Sequence, residues 1–205
     1  MTIQTKRSKN TMITKEETRD AIIQIARNIF GKYGFQKTSM NQIANANRKG
    51  KSSLYYYFNS KEDVFIAVLQ QEAMMLKGQI LASIAEYDDP KDKIRAYVHI
   101  RMNGFKNLLN LYDAIRNEYL SHLPFIENAR KNYDAEEQNM IKSILDDGIA
   151  RGFFSISDTT IASLAIVTAM KGLEYPFFIT DETTDVVENQ IEALLNILFY
   201  GLTVR

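Results

Sequence analysis

Two helix-start signals stand only 25 positions apart near the beginning of the chain, Thr14-x-x-Glu17 and Ser39-x-x-Gln42, and they restrict this region to short helices joined by sharp turns. In each, a hydroxyl and a carboxylate or amide three residues later can satisfy two of the backbone N–H groups that a first helical turn leaves free. Between them Ile22, Ile25, Ala26, Ile29, Phe30 and Tyr33 recur at i, i+3, i+4 spacing and predict one apolar stripe. Gly34 stands where a left-handed residue closes a helix, and Phe35 is placed to fold back onto the stripe. The second helix is about two turns long, with Met40, Ile43 and Ala44 facing inward. Asn47, Arg48, Lys49 and Gly50 interrupt it with turn-tolerant residues, after which K-S-S-L-Y-Y-Y-F (51–58) resumes with Leu54 and Phe58 four apart on one side. Ser60 with Asp63 suits the cap of a long helix carrying Val64, Ala67, Val68, Met75 and Leu76.

Three helices ending in a short pair joined by a tight polar turn describe a helix-turn-helix, with residues 51–58 as its second member. If Leu54 and Phe58 face inward, then Lys51, Ser52, Ser53 and parts of Tyr55, Tyr56 and Tyr57 face outward, beside Arg48, Lys49 and Lys61. A tyrosine ring packs against sugar or thymine methyl while its hydroxyl meets phosphate, and Ser and Lys reach phosphates or base edges. The other reading of the three tyrosines is that they fill an interdomain core. Charge bears on the choice: residues 1–61 hold 12 Lys and Arg against 3 Asp and Glu, net +9, and the remainder holds 13 against 22, net −9. A cationic block beside an acidic one points to a polyanion-binding module attached to a body that does not bind polyanions, although a charge run is also an ordinary solvated face.

Catalysis is not expected. The chain has no Cys, its two histidines His99 and His122 lie 23 positions apart without a metal-binding pattern, and no phosphate loop or nucleophile elbow occurs. No metal or other cofactor is expected. The first 13 residues are polar, read as a flexible tail rather than a signal peptide, and no run approaches the roughly 18 apolar residues of a spanning helix. The expected location is therefore the cytoplasm, away from the membrane.

Residues 14 to about 70 resemble the DNA-binding domain of the TetR/AcrR family of bacterial transcriptional regulators, through Gly34-Phe35, Thr38-Ser39, Ile43-Ala44, Leu54-Tyr55-Tyr56-Tyr57-Phe58 and Lys61-Glu62 in order. The turn departs from the family pattern, placing Arg48, Lys49 and Gly50 where Gly, an apolar residue and Ser are common. The resemblance implies an all-α protein: a tail (1–13), a helix-turn-helix DNA-binding domain (14–61) and a helical effector-binding and dimerisation domain (62–205). It implies that Thr38 or Ser39 holds phosphate, that Asn41, Lys51, Ser52 and Ser53 face the major groove, that Tyr55, Tyr56 and Tyr57 sit at the groove edge, and that Lys61 anchors phosphate. Arg48 and Lys49 add charge in the turn.

Beyond residue 70 helical segments are predicted at about 91–109, 111–121, 124–150, 158–174 and 183–201, divided by Asp88-Asp89-Pro90, Pro124, Gly152 and Pro176. The last two carry broad apolar faces, which are core or interface by themselves; the resemblance implies a homodimer through Ile161, Leu164, Ala165, Thr168, Ile191, Leu194, Leu195 and Leu198. A dimer also sets two recognition helices about 34–36 Å apart for a palindromic operator. By resemblance the middle helices enclose a pocket for a small apolar or amphipathic effector that releases the repressor from DNA. Tyr97, His99, Met102, Asn103, Phe105, Tyr119, His122, Tyr133 and Met140 are candidates for it, though aromatic and Met residues at helical spacing are also ordinary core. The alternative function is a helical protein–protein adaptor without DNA binding, which differs in lacking the steep salt dependence of phosphate contacts.

Overall fold

A computed structural model describes residues 14–48, 50–106, 108, 124–179 and 184–201. Among the described residues the secondary structure is α-helical: α1 (Lys15–Lys37), α2 (Met40–Ala46), α3 (Lys51–Tyr55), α4 (Lys61–Ala85), α5 (Pro90–Lys106), α6 (Pro124–Ala150), α7 (Thr159–Ile179) and α8 (Thr184–Tyr200). The expected helix at 111–121 and the 1–13 tail lie outside the described residues. The chain divides into two compact units, Met1–Phe65 and Ile66–Arg205, with the division inside α4.

Both capping boxes form in the first unit. Thr14 Oγ1 accepts from the Glu17 amide at 3.1 Å while the Thr14 amide donates to Glu17 Oε2 at 2.6 Å, and these bonds hold the Glu17 carboxyl below its ordinary pKa. Ser39 and Gln42 repeat the exchange at 3.3 and 2.7 Å. At Gly34 the backbone leaves the helical region, with φ 77° and ψ 162°. That step turns Phe35 inward, where its ring lies 4.8 Å from Phe65 and Phe65 meets Phe30 edge-on at 4.9 Å. Ile22, Ala26 and Phe30 of the expected stripe are buried, and Ile23 joins them. Tyr33 is not part of it: the backbone breaks at Gly34 directly after it and Phe35 takes the inward place, leaving the Tyr33 ring 48% exposed with the Lys32 ammonium 5.2 Å from its centroid.

Met40, Ile43 and Ala44 of α2, Leu54 of α3, and Phe58 are buried. The second helix of the short pair is shorter than its sequence pattern: α3 stops at Tyr55, and the amides of Tyr57 and Phe58, beyond its end, both donate to Leu54 O, at 3.0 and 3.1 Å. Ser60 Oγ accepts from the Asp63 amide at 3.0 Å to start α4, while Asp63 reaches back to the Asn59 amide at 3.2 Å.

In the second unit α6 lies along α7 and also packs on α5, which in turn touches α7 and α8. Its core includes Leu76, Ile80, Ile94, Val98, Ile141, Leu145, Val167 and Met170. Of the α4 positions expected inside, Met75 is 40% exposed instead. The helix expected to stop at residue 174 runs to Ile179, three residues past Pro176, because a proline in the last turn interrupts only the few bonds that turn would make.

Candidate nucleic-acid interface

The turn between α2 and α3 is built from side chain and backbone together. Asn47 Nδ2 donates to Ile43 O at 2.8 Å, and the Arg48 amide donates to Asn45 O at 3.0 Å. Arg48 takes the left-handed conformation, φ 52°, and among the described residues it is the only non-glycine with positive φ. Gly50 adopts an ordinary extended φ of −65° as N-cap of α3 and has no side chain to cap it. The left-handed position of this turn thus falls on an arginine, two residues before the glycine.

From this turn α3 presents Lys51, Ser52 and Tyr55 to solvent, with Ser53 half-buried. The tyrosine run does not fill a core. Tyr56 is 66% exposed and meets Tyr57 edge-on at 5.0 Å, Tyr57 is half-buried, and Lys51 Nζ lies 5.7 Å from the Tyr55 ring centre. Leu54 and Phe58 hold the segment from beneath, so the phenols stand on an apolar footing. Two turns of α1 flank them: Lys15 Nζ sits 4.6 Å from the Tyr56 centroid and Arg19 Cζ 5.2 Å from that of Phe58.

Ser39, Asn41 and Arg48 are exposed, as a phosphate or base contact requires. Thr38 is not available in this way: it is 3% exposed and its hydroxyl donates to Gly34 O at 2.8 Å, tying the end of α1 across the glycine break. Of the Thr38-Ser39 pair, Ser39 alone presents its side chain. Lys61 is also partly committed, since Nζ donates to Phe35 O at 2.9 Å and lies 4.2 Å from the Phe35 ring centre. Its two remaining N–H donors are what it has left for a phosphate. Lys49 lies outside the described residues.

The expected effector residues do not share one site. Tyr97 and Met102 are buried, and Tyr97 donates to Glu137 Oε1 at 2.9 Å. Glu137 also accepts from Arg101 Nε at 2.6 Å, with both charges buried. Burial pushes the Tyr97 phenol well up, so it stays a donor. Tyr133 and Met140 line a cleft with Lys77, Ile80, Glu136 and Glu137, with room for about one water at ≈ 10 Å³. Lys77 and Glu136 pair there at 2.7 Å. His99 belongs elsewhere: with Arg95 it engages Glu192 of α8, at 2.9 Å from His99 Nε2. Residues 95 and 99 lie four apart, as do 97 and 101, and a two-residue offset puts the pairs on opposite sides of α5. Asn103 is half-buried, while Tyr119, His122 and the Phe105 side chain lie outside the described residues. Arg101, Glu137, Arg95 and Glu192 were missed; the signal was a charged residue, Arg101, at a helical spacing that continues Ile94 and Tyr97.

The expected dimer residues also separate. Ile161, Leu164, Ala165, Thr168 and Leu198 are exposed and Leu194 is half-buried, but Ile191 and Leu195 are each 1% exposed in the core of the second unit. α8 turns that pair inward toward its own unit, which removes them from any surface. Ile197, 52% exposed, lies on the open side instead.

Residues 22–68 match the model of a family described as bacterial regulatory proteins, tetR family. The HTH-type transcriptional repressor NicS of Pseudomonas putida is 27% identical over 148 residues, covering 68% of this chain and 66% of that protein. The chain spans about half to two thirds of the length of the first curated relatives it matches. Among solved structures, the fatty acid degradation regulator FadR from Bacillus halodurans superposes with a TM-score of 0.72 at 23% identity, over 94% of this chain and 100% of that one. The transcriptional regulator FadR from Bacillus subtilis, solved in complex with stearoyl-CoA, gives 0.73 at 19% identity over 90% and 99%. At these identities the likeness to solved structures is one of fold.

Proposed function

Because the chain belongs to the TetR/AcrR family of bacterial transcriptional regulators, we propose that it is a homodimeric, sequence-specific DNA-binding repressor that leaves a palindromic operator when a small apolar or amphipathic effector binds. The observation that carries this reading is the exposed surface of Arg48, Lys51, Ser52, Tyr55 and Tyr56 above a buried footing of Met40, Ile43, Leu54 and Phe58. Phosphate contacts set affinity and register, and the Lys51–Ser52–Ser53 turn of α3 is the part that selects sequence.

Selection of bound fragments from random duplexes by the purified protein tests it. An inverted repeat whose half-sites lie one helical turn apart is expected, with affinity falling steeply between about 50 and 200 mM salt. Lys51→Ala should weaken binding to the selected operator more than to random duplex and so relax operator preference. Absence of duplex binding at low salt would remove the reading and leave a protein–protein adaptor.

The cleft between α4 and α6 is the place we assign to the effector. It is too small for an organic ligand as it stands, so a ligand entering beside Tyr133 and Met140 must part Lys77 and Ile80 from Glu136 and Glu137. Displacement of α4 follows, and α4 begins in the DNA-binding unit. Long-chain acyl-CoA thioesters are the first class to test, because FadR of the same fold was solved with one.

A further inference from the structure

We propose that the DNA-contacting surface extends from α3 onto the first two turns of α1, where Lys15 and Arg19 contact backbone phosphates and Tyr56 is the positioning residue that holds Lys15 beside α3. The inference rests on the DNA-binding reading above and adds residues that reading does not contain.

Lys15 and Arg19 are both exposed and lie four apart, in one row along α1. Each is seated on a ring from the segment that follows α3: Lys15 Nζ is 4.6 Å from the centre of Tyr56, and the Arg19 guanidinium is 5.2 Å from that of Phe58. Phe58 is buried and fixed, whereas Tyr56 is two-thirds exposed and propped by the edge of Tyr57 at 5.0 Å. The same device occurs one residue earlier, where Tyr55 underlies Lys51 at 5.7 Å. Two lysines from two helices therefore stand on consecutive tyrosines. A cation resting on a ring face has already given up much of its rotamer freedom, so less is lost when a phosphate arrives. This gives the tyrosine run a role beyond its hydroxyls, as a pair of pedestals that align cations of α1 and α3.

The nearby acids do not cancel this row. Glu17 is occupied with the Thr14 amide at 2.6 Å, Asp20 is one residue on from Arg19 and so about 100° around the helix, and Glu16, three residues before Arg19, is the one acid beside the row and offsets only part of its charge. Phosphate is the fitting ligand because two adjacent, exposed cations with no hydrogen-bonded carboxylate among the described residues match a polyanion's repeating charge.

The test uses full-length protein, the duplex obtained by selection and a scrambled duplex, with binding followed by fluorescence anisotropy across salt. Lys15→Gln and Arg19→Gln are each expected to lower the slope of log affinity against log salt by about 0.9 and to weaken both duplexes by the same factor. Tyr56→Leu should reproduce most of the Lys15→Gln loss and Tyr56→Phe should retain the seat; the Lys15→Gln/Tyr56→Leu double variant should be little worse than Tyr56→Leu alone. Circular dichroism checks that each variant keeps wild-type helicity. Unchanged slopes in both single variants overturn the phosphate contacts, and fully additive losses overturn the positioning role of Tyr56. A wild-type protein that binds neither duplex overturns the DNA-binding reading and this inference with it, whereas wild-type binding with indifferent variants overturns this inference alone.

Discussion

Gly34 carries φ 77° with ψ 162°, a combination open essentially to glycine, yet a Cβ placed there would meet nothing within 4 Å. Its requirement is conformational rather than steric, so Gly34→Ala should destabilise the protein by about 1–3 kcal/mol in urea unfolding. A change below about 0.5 kcal/mol would show that the break is imposed by packing of Phe35 and tolerates a side chain. Arg48 presents the opposite case. An arginine in the left-handed region costs about 1 kcal/mol relative to glycine, and that cost sits where charge can meet phosphate. Arg48→Gly is expected to hold or slightly raise the unfolding midpoint while weakening all duplex binding, a split that separates backbone strain from charge. Lys61→Ala, in contrast, should lower both, since its ammonium ties Phe35 O as well as facing outward.

At the level of elements, what could be read in the sequence was what depends on neighbours three or four residues apart. Thr14 with Glu17 and Ser39 with Gln42 bond as their spacing implies, and Leu54 with Phe58 both turn inward. The end of α3 was not legible, because K-S-S-L-Y-Y-Y-F contains no breaker and the amides of Tyr57 and Phe58, beyond its end, both bond to Leu54 O. Nor was the partition of α5, which depends on what α6 and α8 present to it. Glu137 receives Arg101 and Tyr97 on one side, and Glu192 receives Arg95 and His99 on the other. The two clusters should respond differently. Glu137→Gln removes a buried charge that accepts from both Arg101 and Tyr97 and is expected to cost about 3–5 kcal/mol. Glu192 is half-buried, and its pKa is lowered chiefly by the Arg95 bond and then by His99. A lowered carboxylate pKa stabilises the fold above the unfolded value, near 4.5, and that contribution disappears as pH falls through the folded value. Glu192→Gln should therefore lose about 0.2–1 kcal/mol at pH 7 and converge on wild type as the pH is taken down below 4.5, read from urea midpoints along the pH series.

Over the whole molecule, charge and apolar surface are segregated along the chain: the +9 of residues 1–61 belongs to the segment with the exposed phenols, and the uncharged row Ile161, Leu164, Ala165 and Thr168 belongs to α7. A bulky exposed row of this kind, with Ile197 and Leu198 on α8, is the surface proposed to meet a second copy. Leu164 is 53% exposed, so Leu164→Lys leaves the subunit core intact and places an ammonium in the proposed interface. Sedimentation should then show a monomer of wild-type helicity. Operator affinity should fall by about 10²–10⁴, because two half-sites are no longer engaged by one linked pair of heads, while binding to an isolated half-site stays as it was. Leu195→Ala distinguishes this from simple destabilisation: that residue is buried in its own subunit, so it should cost about 2–5 kcal/mol of folding stability rather than dimer affinity alone. A Leu164→Lys protein that remains dimeric at micromolar concentration would place the subunit contact on another surface.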